Sequence, residues 1–120
     1  MIALIAAFFV GMGMVALVAP ERISATFGTL ALTADGRNEV RAVYGGFGVA
    51  MGGLLLAAQR LPALRAGVLV AVAVALAGMA GGRLVAAVLE RPRRFYPAWF
   101  YCVLEALMAS ALLAAARSPG

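Results

Sequence analysis

Four apolar runs, each long enough to cross a lipid bilayer, leave this chain few folds to choose from. Ile2 to Ala19 carries no charged residue, and roughly 20 helical residues span a hydrocarbon core of about 30 Å. Further runs cover about 39–58, 66–89 and 98–116. Inside hydrocarbon, backbone N–H and C=O groups must be satisfied within the chain, so such runs become helices. The tight link Gln59–Arg65 forces its two flanking helices to run antiparallel. The expected fold is all-α, an integral membrane antiparallel four-helix bundle formed by one domain, 1–120. Pro20 ends the first span, since proline cannot continue the backbone ladder. A signal peptide would carry a basic start, which Met1–Leu4 lacks, so a retained first helix is the preferred reading.

Composition narrows the function. Hydrophobic residues make up 65% of the chain and charged residues 12%, with mean hydropathy +1.01. Soluble domains hold roughly 45–50% and 25%. The net charge is +5, and all ten basic residues are arginine. These arginines sit between apolar runs, so membrane lipids, and not nucleic acid, are the expected partner. Cys102 is the only cysteine and histidine is absent. That excludes an internal disulfide, an ordinary zinc site and a histidine-held haem. No cofactor or metal is expected. Met12, Met14, Met51, Met79 and Met108 fall near mid-bilayer and read as adaptable packing before soft-metal ligands. No nucleophile–base–orienter set is present, so the chain is not expected to be an enzyme.

The links carry their own signals. Ile23, Phe27, Leu30 and Ala31 recur at helical spacing within 20–38. Either a surface helix or a loop with buried anchors fits them. Asp35-Gly36 is a turn signal, and Asp35 or Asn38 is a candidate cap for the next helix. Arg91, Arg93 and Arg94 precede Phe95, Tyr96, Trp99, Phe100 and Tyr101, the pattern of an interfacial belt. With four spans, Arg22, Arg37, Arg91, Arg93 and Arg94 share one side, with Arg41 at its edge. Arg60, Arg65 and Arg117 share the other. The positive-inside rule then places both termini outside.

The stretch Glu39–Gly53 organises the rest. At 100° per residue, Arg41, Gly45, Gly48 and Gly52 share one helix face, a stripe that lets another helix come close. Gly78 and Gly82 form a second small-residue series in the third span. At about 1.5 Å per residue, Glu39, Arg41, Arg83 and Glu105 all reach the same half of the bilayer. A lone charge there costs at least about 2.5–3.5 kcal/mol, so opposite charges at matching depth are expected to pair. Arg83 is expected with Glu105, and Arg41 with Glu39 or Glu105, with Tyr44 a hydrogen-bond donor at the rim. Two readings of this set stand side by side, a structural ion-pair cluster and a ligand-binding pocket.

With these residues in view, the chain resembles a bacterial family of small four-span membrane proteins, a domain of unknown function. The matching pieces are Pro20, the block Glu39-Val40-Arg41-Ala42-Val43-Tyr44-Gly45-Gly46, Gly82-Arg83 and Glu105. The resemblance implies a multi-pass protein of the bacterial inner membrane and supplies no activity. The architecture is also similar to that of DoxX-type membrane proteins, which are linked to quinol oxidation. Small faces at Ala42, Gly46, Ala50 and Gly53, and at Ala106 and Ala109, point to a homo-oligomer or a partner membrane subunit. Three function classes follow: a binder of a lipid-like or amphipathic molecule, an accessory subunit, and a small proton-coupled transporter acting as an oligomer.

Overall fold

A computed structural model describes residues 1–28 and 33–118. Among them the chain is helical and contains no strand. The helices are α1 (Ile2–Val18), α2 (Pro20–Phe27), α3 (Ala34–Ala58), α4 (Pro62–Leu89) and α5 (Phe95–Arg117). Of these, α3, α4 and α5 are long and apolar enough to cross a membrane. The pair α1–α2 makes a fourth candidate if it is one broken span, for its axes bend by 108°. Pro20 explains the bend. It ends α1 for want of an N–H, and its fixed φ suits the first position of α2. The chain divides into two compact units, Met1–Ala57 and Ala58–Gly120.

In the first unit α1 and α3 run antiparallel at very close range. A methyl group built on Gly13 would lie 2.7 Å from both the Gly45 carbonyl and the Val49 nitrogen. One on Gly48 would lie 3.1 Å from the Phe9 carbonyl, and one on Gly52 2.8 Å from that of Ala6. Gly45 faces Leu17 in the same way. Gly13 on α1 therefore answers the α3 stripe, a part of the seam that α3 alone does not reveal. Residue numbers rise on α3 as they fall on α1, which sets the direction. Gly78 and Gly82 differ from the expectation of a second packing series. A methyl on either would meet nothing within 4 Å among the described residues. Small residues permit close approach without compelling it.

The ends of α2 and α3 also revise the local reading. Gly28 ends α2 at φ 71°, in the left-handed region glycine tolerates. Leu30 and Ala31, part of the expected amphipathic series, lie outside the described residues. The helix α3 starts at Ala34, earlier than expected, because Thr33 caps it: the Gly36 N–H donates to Thr33 Oγ1 at 3.0 Å. Neither Asp35 nor Asn38 is the cap. Asp35 and Gly36 sit in the first turn, where an acid suits the helix dipole. From Arg41 to Gly46 the helix widens to π geometry, with Phe47 N–H bonded to the Ala42 carbonyl. All but the first two residues of the block Glu39–Gly46 thus lie in an irregular turn.

The second unit is a hairpin of α4 and α5. Arg65, near the start of α4, reaches Ala115 near the end of α5, while Ala80 and Arg83, late in α4, meet Cys102 and Glu105, early in α5, so the pair is antiparallel. Buried residues on α4 recur at 69, 72, 73, 76 and 80, one helical face. On α5 they are Cys102, Glu105, Met108, Ala109 and Leu112. Pro62 opens α4 at a position where its missing N–H costs nothing. Most of the expected 59–65 link is therefore helix. At the start of α5, Phe95–Trp99 form a wide turn in which Tyr96 is extended (φ −92°, ψ 135°).

Candidate functional site

The hairpin carries one polar constellation, built on its buried face. Glu105 comes one turn after Cys102 and lies on the face that meets α4, where only 4% of its side chain is exposed. Arg83 lies one turn after Ala80, and its long side chain bridges the offset between the antiparallel helices to reach Glu105. Its Nε donates to Glu105 Oε1 at 2.7 Å, and its Nη2 to Oε2 at 3.1 Å. This fork satisfies both carboxylate oxygens with two parallel donors, the strongest common ion-pair geometry. Tyr101, four residues before Glu105 and on its face, places its ring 5.7 Å from the guanidinium carbon of Arg83. Cys102 donates to the Ala80 carbonyl at 3.6 Å, one turn along the seam.

The two members differ in exposure. Glu105 is closed off, whereas 24% of the Arg83 side chain is exposed. The anion is thus held inside and the cation forms the edge. Such a group can lock two helices together, or offer the outer side of a guanidinium to an acidic headgroup.

The other expected members of the set belong to the first unit and have different duties. Arg41 donates from Nε to the Leu17 carbonyl at 2.9 Å. Leu17 is the penultimate residue of α1, so its carbonyl has no partner within that helix. Arg41 caps α1 and does not pair with Glu39, which is exposed. Tyr44 stacks on Phe27 of α2, centroid to centroid 6.0 Å and 23° between planes. Its hydroxyl makes no hydrogen bond among the described residues, so the expected donor at the rim is instead a packing ring. Arg65 repeats the capping device in the second unit, donating from Nη1 to Ala115 O at 3.0 Å and Ser118 O at 3.1 Å. The sequence places Arg65 in a link on the same side as Arg117, which brings it to the level of the end of α5 but does not show that it caps that helix. Tyr101 was legible in principle, since its spacing from Glu105 is four residues.

Residues 1–116 match the family described as Domain of unknown function (DUF4345). No curated protein and no solved structure matches the chain.

Proposed function

The chain belongs to the DUF4345 family, a domain of unknown function, and on that footing we propose that it is a non-enzymatic multi-pass component of the bacterial inner membrane. Its role in this reading is that of an accessory subunit, assembled with a second copy or a partner membrane protein. The observation that carries the proposal is the closed fork between Arg83 and Glu105, in which both carboxylate oxygens are taken by one arginine. A carboxylate held this way specifies which helix faces meet, and its geometry suits a fixed joint better than a proton-exchanging gate. Proton-coupled transport accordingly ranks behind assembly. A second reading, binding of a lipid-like or amphipathic molecule, draws on the exposed edge of Arg83 above the Tyr101 ring.

Two variants separate these readings. Glu105→Ala strands a cation in the seam and is expected to lower unfolding stability in mild detergent by about 3–5 kcal/mol. The paired replacement Arg83→Met with Glu105→Leu should regain most of that loss and keep the assembly size of the natural protein. If the paired variant folds but loses a lipid-like molecule that the natural protein retains in native mass spectrometry, the accessory reading fails and the binding reading stands. Proton flux in liposomes that depends on Glu105 would instead restore the transporter.

A further inference from the structure

Independently of the ion pair, the far end of the α4–α5 hairpin carries a groove of about 390 Å³ lined by Leu84, Ala87, Val88, Arg91 and Trp99. The groove is shallow and open, a shape that suits a chain lying along the surface and not an enclosed small molecule. We infer that this groove is a site for an anionic phospholipid, with one acyl chain along Leu84, Ala87 and Val88 and its phosphate on Arg91.

Three observations select that occupant. The first is the change of character along the wall. Leu84, Ala87 and Val88 share a face of the last turns of α4, and Val88 is 86% exposed. The apolar run stops at Leu89, and Glu90-Arg91-Pro92-Arg93-Arg94 follows at once. An amphipathic molecule with its polar part at this level matches both halves of the wall. The second is charge. Arg91, Arg93 and Arg94 are all exposed, and none has a hydrogen bond or ion pair among the described residues. Glu90 is the only acid in this five-residue stretch, so the lip is cationic and selects a phosphate with net negative charge over a zwitterion. The third is Trp99, a half-buried indole on the opposite wall. Indoles favour the headgroup level, with an apolar ring and a polar N–H.

Trp99 is also the only tryptophan in the chain, so its fluorescence reports on this groove alone. The full chain is reconstituted in phosphatidylcholine vesicles containing a minor fraction of lipid brominated on the acyl chains, as either phosphatidylglycerol or phosphatidylcholine. Brominated phosphatidylglycerol should quench Trp99 at least twofold more than brominated phosphatidylcholine. Arg91→Gln should abolish that excess. Arg60→Gln removes the same charge from the opposite end of α4 and should leave the excess intact, which separates a site from general attraction to a cationic protein. Circular dichroism verifies that each variant remains helical; were Arg91→Gln to misfold, Val88→Trp in a Trp99→Phe background would carry the same comparison from the other wall. Equal quenching by the two lipids, or an excess that survives Arg91→Gln, overturns the assignment. An excess lost equally in both arginine variants overturns it too, leaving diffuse electrostatics.

Discussion

At the scale of single residues, the arginines that lie within or beside the spans divide by the kind of acceptor they meet. Arg83 meets a carboxylate, while Arg41 and Arg65 meet backbone carbonyls at helix ends. In water a helix C-terminus is solvated cheaply, but in hydrocarbon each orphan carbonyl needs an internal donor. A guanidinium supplies several donors and a charge that suits the negative end of the helix dipole. The capping role of Arg41 therefore makes a specific prediction. Arg41→Leu keeps the side-chain bulk and strands the Leu17 carbonyl, at an expected cost of about 1.5–3 kcal/mol. Arg41→Lys should recover part of it, because one donor suffices. Chemical unfolding in mild detergent measures the difference; equal stability of Arg41→Leu and the natural protein would remove the cap from the account.

At the scale of elements, glycine decides how near two helices come, and lipid makes that nearness count. Lipid tails are as apolar as leucine, so helices associate through close packing and not through escape from water. The α1–α3 seam achieves this with Gly13, Gly45, Gly48 and Gly52, where an added methyl would strike the opposing helix. Gly13→Ala should therefore separate α1 from α3 and destabilise the first unit by about 1–3 kcal/mol, the usual cost of overpacking. Gly78→Ala and Gly82→Ala enter open space and should be neutral or stabilising by up to about 1 kcal/mol, as alanine favours helix over glycine. Thermal unfolding in one detergent ranks the three, and a loss at Gly82 as large as at Gly13 would show that a second copy or partner covers that face. This contrast also marks how far the sequence could be read. Helix content, apolar spans and the matching depth of Arg83 and Glu105 follow from hydropathy and rise per residue, which are local quantities. Which glycine stripe meets a helix depends on the opposing face, and so does whether an arginine finds an acid or a carbonyl. Arg41 looked like a member of the charge cluster because depth was all the sequence could supply. The direction of its side chain is set by the end of α1, some two dozen residues away.

At the scale of the whole molecule, the open matter is how many times the chain crosses the membrane. The helices α3 and α4 each have the length to cross, about 37 and 42 Å at 1.5 Å per residue. They are joined by a break of three residues, Gln59–Leu61, so positions 35 and 93 should share one side and position 63 the other. The helix α1 decides between three crossings and four. It has 17 residues, or about 25 Å, and bends sharply into α2. Its packing argues for a crossing: Ala6 to Leu17 lie along Gly52 to Gly45 of α3, so α1 follows a spanning helix over about three turns of its length. A re-entrant segment would leave α3 earlier and would expose the unpaired α1 backbone end to lipid, whereas Arg41 caps that end at the start of the α3 span. Met1 should therefore lie with position 63, opposite 35 and 93. In a Cys102→Ala background, single cysteines at positions 1, 35, 63 and 93 can be labelled in intact cells with a membrane-impermeant maleimide. The arginine bias predicts that 35 and 93 lie inside, so 1 and 63 should label from outside. Labelling of 1 together with 35 and 93 would reduce the count to three crossings, and labelling of 63 with them would show that α3 and α4 do not cross as separate spans.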